Sequence, residues 1–188
     1  MQTILQWDIA LLKHINAQWH TPFLDGFLPA CRNPNTWLPL YVFLVLFILI
    51  NYKDSRWWWL GFAISTVIFT NFISSGLLKH NIIRLRPCNE PSFVGWIRLF
   101  KGIYLPQSSS FVSAHAANHF GMAMFFFITL HKQFKTWPWL FFLWAGTISY
   151  AQMYIGVHYP TDILCGAIIG LVTGYLIGRR FNNHYGLN

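Results

Sequence analysis

Charge is what this sequence has least of. Lysine, arginine, aspartate and glutamate make up 10% of its 188 residues, and only five of those are acidic. A water-soluble domain carries roughly a quarter charged residues, so a polar surface on every side is excluded. Cysteine is scarce too. Cys31, Cys88 and Cys165 have neither zinc-ligand spacing nor an even count, which argues against a zinc module or a disulfide scaffold. Spacing alone does not establish a Cys31–Cys88 pair, and Cys165 reads as a small apolar residue. Residues 1–17 lack a basic start followed by a continuous apolar core, so no cleavable signal peptide is expected. With no internal repeat or low-complexity tract, residues 1–188 read as one domain.

What is present is apolar surface, 55% hydrophobic residues with 19% aromatic. Residues 33–52, 57–78, 102–131, 136–161 and 163–178 contain no Lys, Arg, Asp or Glu. Windows of this length suit helices that cross hydrocarbon, which takes ~20 residues. The expected fold is therefore an all-α integral-membrane bundle of about five spans, near 36–51, 57–78, 111–130, 137–154 and 160–180. Trp37, Trp57, Trp58, Trp59, Trp137 and Trp139 sit at span ends as interfacial anchors. Residues 1–35 form an interfacial segment before the core at 36–181. In it Ile4, Leu5, Trp7, Ile9, Leu11, Leu12 and Ile15 alternate with Gln6, Asp8, Lys13 and His14, an amphipathic helix. A second short helix is expected near 22–31.

The net charge of +8 does not point to nucleic acid, because no basic stripe follows any helix. The basic residues lie between spans, where loops orient a membrane protein and meet anionic lipid. The compact turns with Lys53, Arg56, Lys132 and Lys135 are expected in the cytoplasm, and the long loop 79–110 outside. That places the chain in a plasma or inner membrane with its polar face extracytoplasmic.

The unusual polar residues gather on that face. Lys79 ends the second span, with Arg84 and Arg86 close behind. Ser113 and His115 open the third, Gln152 ends the fourth, and His158 and Asp162 open the fifth. Ionisable groups at membrane depth are costly, so such a cluster marks a functional site. Its residue types suit phosphate. Helix starts offer unpaired N–H groups, and Lys79 and Arg86 bring charge. One imidazole can attack phosphorus while the other protonates the departing oxygen. Asp162, four residues after His158, can orient it, cap its own helix, or do both. Arg84 fits either phosphate or lipid headgroups. Single buried histidines usually bond to backbone carbonyls, but two beside two cations point to chemistry.

Lys79-x6-Arg86-Pro87, Ser113-Ala114-His115 and His158-x3-Asp162 together resemble the three-part signature of the type-2 phosphatidic acid phosphatase superfamily. The resemblance covers residues 37–180. It implies a lipid phosphatase in which Lys79, Arg86, Ser113 and the N–H of Ala114 bind phosphate. His115 would be general acid and then base, and His158 would form a phosphohistidine oriented by Asp162. No metal or cofactor is implied, and the expected partners are a phosphorylated lipid and the bilayer, with no obligate protein partner. Undecaprenyl pyrophosphate, phosphatidic acid, phosphatidylglycerol phosphate and lipid A phosphates are the candidate substrates.

Three positions depart from that pattern, the first being Val112, which stands where the family has proline. Ala114 stands where the family has glycine. Gln152 stands where the family has an arginine six residues before the nucleophile. A glutamine donates a hydrogen bond without charge, so transition-state stabilisation weakens unless another cation compensates. Arg84, Arg98 and Lys101 are the candidates for that cation. A weakly catalytic lipid-phosphate binding protein and a lipid phosphotransferase are the alternatives this leaves open.

Overall fold

The computed structural model describes residues 2–187, without the side chains of Gln2 and Ile4. Ile4, counted above on the amphipathic helix, lies outside that description, as do the ends of the 1–188 domain, Met1 and Asn188. The described residues are helical with no β-strand. Helix α1 covers Gln2–Lys13 and runs into a π-helical turn, His14–Gln18. Helix α2, Pro22–Arg32, starts where the Thr21 hydroxyl accepts the Leu24 N–H at 3.2 Å and Pro22 needs no partner. Helix α3, Leu38–Asn51, follows a 3-10 turn at Pro34–Trp37. Helix α4, Arg56–Asn71, continues through a π-helical stretch, Phe72–Leu78, and a last turn, Lys79–Asn81. After the long connection come α5, Ala114–Phe134, α6, Leu140–Tyr154, and α7, Pro160–His184.

All five expected spans are helical. Among the described residues three stretches are long and apolar enough to cross a membrane: Pro34–Asn51, Arg56–Asn81 and Pro160–His184. Helix α5 has the length but carries His115, Asn118, His119 and Thr129 within the bundle, which lowers its apolar content. It begins at Ala114 rather than 111 because Ser113 is its cap, the hydroxyl accepting the Ala116 N–H.

The bundle closes around a contact between α5 and α7. Gly166, Gly170, Gly174 and Gly178 recur every fourth residue, on one face of α7. A methyl group on Gly170 would lie 2.3 Å from the Ala117 carbonyl oxygen, and one on Gly174 2.2 Å from that of Gly121. The two backbones touch, as small residues permit in membrane helices. Leu164, Ile168, Val172 and Leu176 share the same period but are offset by two residues, about 200° around the helix, and all are exposed. One face of α7 therefore receives α5, and the other is left for lipid. Below this contact Trp59, Phe125, Phe126 and Phe181 fill the core, with the Trp59 Nε1–H on the Thr129 hydroxyl at 3.0 Å.

Helix α1 is amphipathic, but it turns a different face inward from the one its alternation suggests. Asp8, expected with the polar residues, is buried with Leu12, Ile15 and Asn16, whereas Leu5, Trp7 and Leu11 are exposed. The inward face docks on the start of α7, so α1 belongs to the bundle's polar end.

Overpacking the α5–α7 contact tests this account. Gly170→Ala is expected to lower the thermal midpoint in detergent, with a cost of about 1–3 kcal/mol. Gly61→Ala, with nothing within 4 Å of the added methyl, is expected to hold or raise it. Equal midpoints for both variants would contradict the close contact.

Candidate active site

The α5–α7 contact brings the second and third sequence motifs together at one end. The Ser113 N–H donates to the Asp162 carbonyl at 3.1 Å, tying the cap of α5 to the first turn of α7. The next amides, Ala114 and His115, are the first of α5 and find no hydrogen-bond partner among the described residues. Gly156, at φ +77°, makes the turn before His158. A side chain there would be strained, and its Cβ would sit 3.1 Å from Ile97. His158 is thereby fixed at the mouth of α7, 2% exposed.

Arg86 faces His158. Its Nη1 lies 3.1 Å from His158 Nε2 and donates to the Val157 carbonyl at 3.0 Å. Its Nε donates to the Ser108 carbonyl, and Nη2 to the Ser108 hydroxyl and the Ser109 carbonyl. All five N–H groups of this buried guanidinium are engaged. Since arginine only donates, Nε2 is the acceptor and the imidazole proton sits on Nδ1. That nitrogen points to Asp162 Oδ2 at 3.5 Å, beyond hydrogen-bond distance, and has no closer partner among the described residues. Burial pushes the His158 pKa down to about 4, with Asp162 opposing the shift and the Arg86 charge adding to it. The ring is neutral at neutral pH.

Asp162 is fully enclosed. Its Oδ2 accepts the Ser110 hydroxyl and, at 2.9 Å, the Tyr159 N–H, which makes it the cap of α7. Its Oδ1 accepts Arg84 Nη1 at 2.7 Å. Arg84 reaches on to Asp8 Oδ2 at 2.5 Å and lies 3.8 Å over the Tyr159 ring. Asp8 also accepts the Thr161 N–H at 2.8 Å and its hydroxyl at 2.5 Å. Arg84 thus links two carboxylates whose side chains are 1% and 0% exposed.

Lys79 and His115 complete the cluster. The π-helical stretch ends directly before Lys79, which among the described residues has no carboxylate within 4 Å. Arg32 lines the same open depression as His115. His119 Nδ1 lies 2.8 Å from the His115 carbonyl, and its ring meets Trp144 edge-on. Gln152 is buried, and neither amide atom finds a partner among the described residues. Arg98 forms a forked pair with Asp25 at 2.7 and 2.8 Å, and Lys101 is exposed. Cys31, Cys88 and Cys165 are free thiols.

Asp8, Ser110 and Arg32 escaped the sequence reading. Asp8 could have been found, since Asp8, Leu12 and Ile15 share one helical face. Ser110 and Arg32 lie in no motif and become visible only when distant segments meet.

A family model described as the PAP2 superfamily matches residues 56–185. The chain is 33% identical over 172 residues to a lipid A 4'-phosphatase of Bacteroides thetaiotaomicron, covering 90% of this chain and 74% of that one. It is 27% identical to a lipid A 4'-phosphatase of Porphyromonas gingivalis, covering 96% and 75%. The fold is shared with a transmembrane PAP2-type phosphatidylglycerolphosphate phosphatase from Bacillus subtilis, at TM-score 0.68 and 20% identity over 98% of this chain and 89% of that one.

The Arg84 bridge generates a prediction. Arg84→Ala leaves two enclosed carboxylates without their common cation and is expected to cost about 3–5 kcal/mol. Asp8→Asn keeps the shape and is expected to lower stability by about 1–3 kcal/mol. Chemical denaturation in detergent measures both, and no loss in either variant would contradict the bridge.

Proposed function

Because the chain belongs to the PAP2 superfamily and is a phosphoric ester hydrolase, we propose that it removes a phosphomonoester from a membrane lipid of the lipid A 4'-phosphate class. The observation that carries this reading is the neutral, enclosed His158, with Nε2 turned to the Arg86 guanidinium and Nδ1 to Asp162. The names of the two bacterial relatives support the substrate class.

In this reading the lipid phosphate displaces the Arg86–His158 contact, and Arg86 and Lys79 take its non-bridging oxygens. The Ser113 hydroxyl and the Ala114 N–H add hydrogen bonds at the positive end of α5. Nε2 attacks phosphorus, the ester P–O bond breaks, and His115 gives its proton to the leaving oxygen. The phosphorylated ring becomes cationic and Asp162 stabilises it. Water, deprotonated by His115, then breaks the P–N bond and releases phosphate. Arg84 acts through Asp162 rather than on phosphate. The catalytic face is extracytoplasmic, since the compact basic turns lie at the other end.

Purified protein is expected to release phosphate from lipid A more readily than from phosphatidic acid, phosphatidylglycerol phosphate or undecaprenyl pyrophosphate. His158→Ala is expected to lose about 1,000-fold or more in kcat. An acid-labile, base-stable phosphoprotein should be trapped with wild type and not with the variant. Activity that persists in His158→Ala would sink the assignment.

The pH profile offers a separate check. A nucleophile with its pKa lowered to about 4 stays reactive above that value and is lost as pH falls through it. After correction for substrate titration, the acid limb of kcat/KM is expected near 4. A limb near 6.5 would contradict a buried neutral His158.

For orientation, a cysteine replacing Gln107 in a variant without native cysteines should react with an impermeant reagent on intact cells. One replacing Lys132 should not. The reverse pattern would turn the catalytic face inward.

A further inference from the structure

The charge missing at Gln152 has no source among the cations that sequence alone suggests. Arg84 is committed to Asp8 and Asp162, and Arg98 to Asp25. Lys101 stands exposed on the long loop. Gln152 is itself enclosed, with both amide atoms unpartnered.

Arg32 is placed differently. It is the last residue of α2, and among the described residues it has no carboxylate within 4 Å and no side-chain hydrogen bond. It lines an open depression of about 400 Å³ together with Pro29, Asn33, Ile103, Tyr104 and His115. Arg86 thus faces His158 and Arg32 shares its depression with His115, and of the cations Arg32, Lys79 and Arg86 only the last has its donors satisfied by the protein. Like charges held together without acids are stabilised by an anion, and a guanidinium can grip two phosphate oxygens.

The end of α2 is pinned, which a binding group requires. Asp25 receives Arg98 and, at 2.5 Å, the Tyr154 hydroxyl at the end of α6. The Thr36 hydroxyl donates to the Ala30 carbonyl at 2.7 Å, and Trp37 Nε1 to that of Cys31 at 2.6 Å. The last carbonyls of α2 are thus held from the 3-10 turn that precedes α3.

We propose that Arg32 binds the transferring phosphoryl group from the His115 side, supplying the cation that the arginine-to-glutamine change at position 152 removed. This rests on the phosphatase reading above. Arg32 takes no proton and forms no bond to phosphorus; it neutralises the phosphoryl oxygens as the leaving oxygen departs.

The test uses purified protein with para-nitrophenyl phosphate and orthovanadate, neither of which carries a lipid. Arg32→Ala is expected to lower kcat/KM for the ester and weaken vanadate inhibition, each by about 10- to 100-fold. Arg32→Lys should fall between, and added guanidinium should restore part of the Arg32→Ala rate, which only a folded protein can show. In the Arg32→Ala background, Gln152→Arg should recover activity, because the charge returns to the same phosphate. Wild-type turnover and vanadate affinity in Arg32→Ala would overturn the proposal. A loss confined to lipid substrates would do so too, by placing Arg32 on a distant headgroup. A wild-type protein that hydrolyses none of these compounds, or whose activity survives His158→Ala, would overturn the phosphatase reading and the role of Arg32 with it.

Discussion

The close approach of α5 to α7 is the constraint on which the rest depends. Two helices ordinarily sit 8–10 Å apart, separated by side chains. Here glycine leaves carbonyl oxygens of α5 where Cβ atoms would otherwise stand. The gain in a bilayer is dispersion and weak polar contact, since lipid is as apolar as leucine and supplies no hydrophobic drive. The consequence is positional. Ser113 and Asp162 share a backbone hydrogen bond, so the His115 helix start and the His158 turn belong to one rigid corner.

Three of the five acidic residues pair with arginines near that corner. Asp162 and Asp8 share Arg84, and Asp25 holds Arg98. Enclosed charges such as Asp8 and Asp162 are costly unless paired and hydrogen-bonded, and these two are both. Their contribution is to fix geometry. Asp162 is held by Ser110, Tyr159 and Arg84 before it meets the imidazole. The carboxylate has little freedom to turn away.

Much of this was legible in the sequence. Charge-free windows located the helices, and the spacing around Lys79, Arg86, Ser113, His115, His158 and Asp162 located the corner. Local pattern also held information that went unread. The four-residue glycine period announces a close helix contact, and Asp8 shares a face with Leu12 and Ile15. Other features were not legible in principle. The fates of Arg84 and Arg98 depend on Asp8 and Asp25, 76 and 73 residues away. The placement of Arg32 depends on α2 folding back against α6. Sequence spacing reports neighbours along a helix, whereas these pairings are set by chain return.

The seat of α1 also gives the corner a direction. With Asp8 on the first turn of α7, the N-terminal helix packs beside the turn that carries His158. The depression beside His115 opens at the elbow between α2 and α3. In the proposed reading, that depression is the opening by which a phosphorylated headgroup meets His115 and Arg32 together.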